Sequence, residues 1–379
     1  MLQYTGICKK KNDIKIKLFE NNRNIDLASP KIMNPDIGML EAFICKGILP
    51  KTYLAEFYDA TIIANNDLIL YNNVCLYDEV EYGKSYNYGI KPFHTVSKIG
   101  KKKITLLVPK DFFEIESGIH FCKDHSKNYY HWMIESLPRL SLIDSIPCNI
   151  PLLVDGNLPE QFYESLNLLS KRNVIKIPDN KSLLVKKLYY PSQLSVIKDN
   201  YNKVDIASDI LIPHNAVIFL RKKVFEVLNI KENVNLEKRA YRKIYISRRS
   251  VSFRKILNTN QVEKFFLDRG FEIIAPENLS FESQVRIFSQ SQIIVGQSGA
   301  AMTNFIFAPK SANILILTSN APNRNLQAFN ILSDALNLNM QYLSGKCKDI
   351  NPDYVPHSDF SIDIELLEQY VDSLTPRRR

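Results

Sequence analysis

The stretch from Lys243 to Leu317 alternates apolar runs with amphipathic segments, and few folds accept that rhythm. "KIYISRR" reads as a strand. "NQVEKFFLDRG" predicts a helix, with Asn260 as its cap, Glu263 at the capping-box position and Gly270 as its stop. "FEIIAP" is a strand, and "SFESQVRIFSQS" a helix capped by Ser280. "QIIVG", "AAMTNFIFA" and "ANILIL" add a strand, a short helix and a strand. Strands that alternate with helices are buried on both faces, so this β-α-β-α-β-α-β series predicts a doubly wound parallel sheet.

The same alternation, less regular, runs from 119 to 212. "NYYHWMIESLPRLSLIDS" is helical, with Pro138 bending or ending its first part. "IPLLVDG" is a strand, "LPEQFYESLNLLSKR" a helix with Pro159 near its start, and "VIKIP" and "SLLVKKLYYP" are strands. Residues 1–110 read as short strands and loops, with "TIIANNDLILYNN" a hairpin around Asn65-Asn66-Asp67. A long helix is expected over 213–229. The polar stretch "IKENVNLEKRAYRK" is the best linker, which divides the chain into residues 1–230 and 231–379.

A length of 379 residues suits two domains. No apolar run reaches the ~18 residues that span a bilayer, and the N-terminus lacks the apolar core of a signal peptide. A cytoplasmic protein is the expectation. The six cysteines are scattered with no C-x-x-C pair, which speaks for buried thiols and against a structural zinc site. The net charge of +9 is gathered in clusters at Lys9–Lys11, Lys101–Lys103, Arg221–Lys223, Arg248–Arg249 and Arg377–Arg379. Such charge suits nucleotide phosphates, an acidic glycan or an anionic membrane touched from its inner face. No zinc finger or RNA-recognition motif is present, so nucleic acid is not an expected partner.

Ligands of open α/β sheets bind beyond the carboxyl ends of the strands. Three stretches fall there: "SRRSVSFRK", "APENLSFES" and "GQSGAAMTN". In the third, Gly296, Ser298, Gly299 and Ala300 leave the backbone open at the start of a helix, a favourable place for an anion. Ser298, Thr303 and Asn304 add hydrogen-bonding side chains. Arg248 and Arg249 can bring a bidentate cation to the same phosphate, with Lys255 as a further charge. The dinucleotide and P-loop glycine patterns are absent. In the first half, His131 and Glu135 stand four residues apart on one helix face, which Arg139 continues.

Taken in order, "NYYHWMIESLPRL", "IYISRRS" and "FEIIAPENLSFESQVRIFSQSQIIVGQSGAAMTN" resemble glycosyltransferase family 61 over roughly residues 119–318. The family carries an H-W-x-x-E-x-L-P-R element, a strand ending in S-R, a P-E-x-L-x-x-x-x-Q stretch and a G-x-H-G-A-x-x-T-N loop. This chain departs at Ser298, where the loop usually has histidine. Residues 1 to about 100 show no resemblance. The resemblance implies a GT-B architecture, two Rossmann-like domains facing across a cleft, here with an N-terminal β-rich extension. It implies an inverting transferase acting on a nucleotide-diphosphate sugar, a UDP-sugar by analogy, in bacterial capsule or surface-polysaccharide assembly.

On that reading the diphosphate lies on Ser298–Ala301 and Arg248, and the nucleotide touches Ala275–Glu277. Glu277 either binds sugar hydroxyls or only holds its loop. The acceptor, a glycan or lipid-linked glycan, enters on the side of Asn128, Trp132 and Arg139. His131 is the first choice of base and Glu135 the second, as base or as orienter of His131. No D-x-D triplet occurs, which weakens a metal-dependent mechanism; no metal site and no required cofactor are expected. Two rivals use the same features: a sugar-phosphate transferase, and a non-catalytic nucleotide-binding scaffold of a polysaccharide complex.

Overall fold

The computed structural model describes residues 2–10, 13–34, 45–78, 96–99, 103–109, 111–179, 181–197, 210–232, 241–249, 252–321, 326–348 and 357–374. Most of the expected linker (233–240) lies outside them, as do Lys11, Lys101, Lys102 and Arg377–Arg379 of the basic clusters. The chain forms two compact units: Met1–Asn24 with Ile48–Lys198, and Ile25–Gly47 with Asp199–Arg379.

In the first unit a long strand, β1 (Thr52–Ile63), turns back through the expected hairpin into β2 (Ile69–Tyr71), with Ile62 opposite Ile69. A second tight turn leads into β3 (Val74–Leu76); its Asn72 and Asn73 both take positive φ, as a two-residue hairpin turn requires. The α/β part follows with β4 (Phe112–His120), β5 (Leu152–Asp155), β6 (Val174–Ile177) and β7 (Ser182–Pro191). These four are parallel in the order β6-β5-β4-β7, and β7 pairs antiparallel with β1. The order reverses between β4 and β7, so the ends of those two strands form this unit's switch point. Tyr53, Phe57, Ile62, Leu153, Ile177 and Leu183 fill the core.

The crossover from β4 to β5 is a composite helix, α1, spanning 129–142. It starts as an α-helix at Tyr129–His131, widens to a π turn at Trp132–Ser136, and tightens to a 3-10 helix at Leu137–Leu142. Pro138 supplies no amide to the regular ladder, so the hydrogen-bond pattern must change around it. A regular helix, α2 (Glu160–Leu169), joins β5 to β6, and Pro159 sits at its N-cap as expected.

The second unit contains the predicted alternation. Its elements are α3 (His214–Val227), β8 (Arg242–Ile246), α4 (Thr259–Asp268), β9 (Glu272–Ile274), α5 (Phe281–Ser289), β10 (Ser291–Gln297), the 3-10 helix α6 (Ala300–Phe307) and β11 (Asn313–Ser319). After these come α7 (Gln327–Leu336), β12 (Asn339–Cys347), β13 (Phe360–Ser361) and α8 (Ile364–Leu374). The strand order is β9-β8-β10-β11-β12-β13, parallel except for β13. The fifth parallel strand, β12, extends the series read from sequence. The switch point lies between β8 and β10.

Three local expectations are corrected. The long helix groups with the second unit, not with residues 1–230: Arg221 of α3 donates to the carbonyls of Ile306 and Ala308 at the end of α6. Part of the N-terminal region also groups there, because Asn34 and Ser344 exchange two hydrogen bonds of 2.8 Å and Ile32 bridges to Tyr342. Helix α4 starts two residues earlier than a cap at Asn260 allows, with Asn258 at its N-cap, and Glu263 accepts from Ser247 and Arg249 instead of closing a capping box. The cap of α5 by Ser280 and the stop of α4 at Gly270, with φ of 73°, are as expected.

Arg139 holds the first unit's switch point shut. It is fully buried. Its guanidinium donates to the His120 carbonyl at 2.8 Å and to the Pro191 carbonyl at 2.7 and 3.0 Å, the last residues of β4 and β7. Replacing Arg139 by Ala strands both carbonyls and leaves a cavity, and should cost about 3–5 kcal/mol in urea unfolding. Arg139→Lys should recover only part of this, since a point charge cannot reproduce the planar fork.

Candidate active site

The first cluster sits on α1 and on the loop after β4. Asn128 caps α1 by accepting the Tyr130 amide at 3.0 Å. One turn on, His131 Nδ1 and Glu135 Oε2 stand 2.6 Å apart. Glu135 is 2% exposed, and its other oxygen lies 3.4 Å from Lys123 Nζ. Burial alone would raise the Glu135 pKa, but Lys123 and then His131 outweigh it and hold the carboxyl below its ordinary range. A carboxylate only accepts, so His131 carries its hydrogen on Nδ1 and keeps Nε2 as the basic nitrogen.

Around this pair stand Asp67, whose Oδ2 is 3.7 Å from Lys123 Nζ, and Asp124 and His125. The His125 ring lies 5.6 Å from that of His131. Asp155, at the end of β5, joins the two loops: its Oδ1 takes the Asn65 amide at 2.6 Å and its Oδ2 the Lys123 amide at 3.2 Å. Burial pushes the Asp124 carboxyl up to about 6.

Two residues expected on the acceptor side are elsewhere. Trp132 has no exposed surface; it stacks on Phe162 at 5.3 Å and donates to Ser165 Oγ at 2.9 Å. Arg139 is the strand tie described above. Both are framework, and Asn128 serves α1 as its cap.

The second cluster lies at the switch point of the second unit. Arg248, just past β8, donates to the Ser298 carbonyl at 2.6 Å, just past β10. A Cβ on Gly299 would collide with the Arg248 guanidinium, so only glycine permits this approach. Burial, then the charge of Arg254, push the Arg248 pKa down to about 10, against the pull of Glu277. Arg248 is thus a cation in surroundings that would gain from an added anion. Gly299, Ala300 and Ala301 open α6, whose first amides have no intrahelical acceptor. The Ser298 amide is not among the open groups; it donates to Leu317 at 2.8 Å.

Residues 129–315 match the family model described as Glycosyltransferase 61. Over that stretch the chain belongs to glycosyltransferase family 61. No curated protein matches the chain. Within this glycosyltransferase, two of the motif residues serve each other: Asn304 Nδ2 donates to Gln284 Oε1 at 2.7 Å, fully buried, and fixes α6 to α5. Asn304 thus lies buried in the frame between the two helices. Arg249 is also occupied, in a pair with Glu263 that includes a 2.9 Å bond. Lys255 is exposed, its backbone amide tied to Asp359 at 2.6 Å; among the described residues no contact links its ammonium to Arg248. Glu277 is exposed on the turn Pro276–Asn278.

Sequence reasoning missed Lys123, Asp67 and Arg254. Arg254 lay in a flagged loop, and a third arginine six residues after Arg248 was the available signal. Lys123 and Asp67 gave none, because a lysine and an aspartate read as surface residues until burial is known. Among the described residues, no group of three or more His, Cys, Asp or Glu side chains is arranged to hold a metal ion.

Two outcomes test this geometry. Gly299→Ala should displace Arg248 and weaken binding of inorganic pyrophosphate, read by calorimetric titration, with the circular dichroism spectrum unchanged. Asp124 binds its proton more tightly folded than unfolded, since its pKa rises from 3.8 to about 6. Its contribution therefore favours the fold at low pH and is lost as pH rises from about 4 to about 6. Asp124→Asn should raise the melting temperature at pH 7 and not at pH 4.

Proposed function

We propose that the protein is an inverting glycosyltransferase that moves a sugar from a nucleotide diphosphate to a growing surface glycan, such as capsule or lipopolysaccharide. The observation that carries this reading is the approach of Arg248 to the Ser298–Gly299 backbone at the switch point of a parallel sheet. Backbone amides, an arginine and a second arginine nearby suit the diphosphate, which becomes the leaving group. A UDP-sugar is the expected donor and a glycan or lipid-linked glycan the acceptor. Two units, each built on parallel strands, support the GT-B arrangement that the family implies.

Inverting transfer needs a base on the acceptor hydroxyl and positive charge on the leaving diphosphate. His131 Nε2 takes the hydroxyl proton while Glu135 holds the ring. The acceptor oxygen attacks the anomeric carbon from the face opposite the diphosphate, and the C–O bond to phosphate breaks with its electron pair leaving on the diphosphate. Arg248 and the α6 amides receive that charge. The location proposed for the reaction is the cytoplasm, with an anionic membrane touched from its inner face as a further surface. Among the described residues no helix is long and apolar enough to cross a membrane.

A panel of nucleotide sugars should yield free nucleoside diphosphate; release of monophosphate would point to sugar-phosphate transfer instead. Arg248→Ala should lower kcat/KM by an amount equivalent to about 2–4 kcal/mol with folding intact, and an unchanged kcat/KM would remove Arg248 from the site. His131→Ala should lose about 10²–10⁴ in kcat with nucleotide binding retained. Activity should persist in EDTA; complete loss restored by Mg²⁺ or Mn²⁺ would defeat the charge argument.

A further inference from the structure

Lys123 is a buried cation whose place is fixed three times over. Its side chain is 4% exposed, a rare condition for lysine unless it is paired. Nζ faces Glu135 Oε1 at 3.4 Å and Asp67 Oδ2 at 3.7 Å. Its backbone amide is held by Asp155, the carboxylate that also takes the Asn65 amide and so fixes the loop carrying Asp67. Glu135 is engaged on both oxygens, Oε1 by Lys123 and Oε2 by His131 Nδ1.

We propose that Lys123 is the positioning residue of the catalytic base. It keeps Glu135 an anion in one orientation, with Oε2 turned to the His131 Nδ1–H, so that Nε2 is always the nitrogen offered to the acceptor. The inference rests on the reading of His131 as the base. Lys123 itself exchanges no proton: the acceptor proton ends on His131 Nε2, Glu135 stays ionised, and the ammonium stays an ammonium. The groups around Glu135 are Lys123 and His131 in contact, Asp67 across Lys123, and Asp124 and His125 on the loop from β4. Lys123 is the cation placed between the Glu135 and Asp67 carboxylates, and without it the two negative charges face each other uncompensated.

The test compares Lys123→Met, Lys123→Arg and Lys123→Ala with His131→Ala, in the full-length protein, by kcat, donor KM and the pH profile of kcat. Lys123→Met should lose on the order of 10-fold or more of kcat, a part of what a positioned base supplies, with donor KM unchanged. Its acid limb should move to higher pH: Glu135 must be ionised to steer His131, and without the cation its pKa rises. Lys123→Arg should recover most of kcat, and methylammonium should restore Lys123→Ala. A Lys123→Met enzyme with wild-type kcat and pH profile would overturn the proposal, as would a natively folded Lys123→Ala that methylammonium leaves unchanged. If His131→Ala is inactive while Lys123→Met is normal, only the role of Lys123 falls. If His131→Ala keeps its kcat, the base assignment falls, and the role of Lys123 with it.

Discussion

A guanidinium that satisfies the ends of two strands fixes the candidate catalytic helix. Arg139 belongs to the same composite helix as His131 and Glu135, and it bonds the last carbonyls of β4 and β7. Parallel strands end in carbonyls that lack sheet partners, and at a switch point no crossover covers them. The arginine meets that need. In doing so it sets the height and rotation of the helix relative to the loop after β4, and therefore the distance from Glu135 to Lys123. The Arg139 guanidinium lies over the rings of Phe121 and Tyr190 at 5.0 and 5.2 Å, and the stacking of Trp132 on Phe162 braces the same helix from another side.

The second unit uses the same device twice. Arg221 closes the carbonyl end of α6, and Arg248 meets the backbone at its amide end. The two differ in what surrounds them. Arg221 has Glu232 and two carbonyls, a balanced set. Arg248 has a carbonyl acceptor, and burial and then the charge of Arg254 lower its pKa against the pull of Glu277. A buried cation beside a like charge is costly unless an anion joins it, which is why the functional reading falls on Arg248. The Gln284–Asn304 bond sets α6 against α5 and so keeps the glycine at the position that Arg248 needs.

Charge in the first unit is arranged on the opposite principle. Glu135 is compensated on both oxygens, which leaves His131 with one defined tautomer. The π turn in α1 brings Glu135 into this arrangement without breaking the helix, at the cost of regular hydrogen bonding, and Pro138 ends the irregular stretch by forcing the 3-10 turn. Such widened turns recur at functional sites because they redirect one side chain while the ends of the helix stay in place.

The alternation of periods from Lys243 to Leu317 was sufficient to determine a parallel α/β unit, since buried strands and amphipathic helices have only that arrangement open to them. The same holds for Ser280 as a cap, Gly270 as a stop, the i, i+4 pairing of His131 with Glu135, and the meeting of Arg248 with the Gly299 loop, because each depends on local spacing or on strand ends that the sheet order makes neighbours. Tertiary structure decided the rest. Trp132, Arg139 and Asn304 have the residue types of ligand-binding groups, and only their burial shows that they hold the frame. Lys123 and Asp67 read as surface charges because nothing within a few residues of either reports that a loop from another hairpin closes over it. The long helix 213–229 could not be allotted by periodicity, since its apolar stripe fits either neighbour in sequence; the carbonyl end of α6 is what Arg221 found.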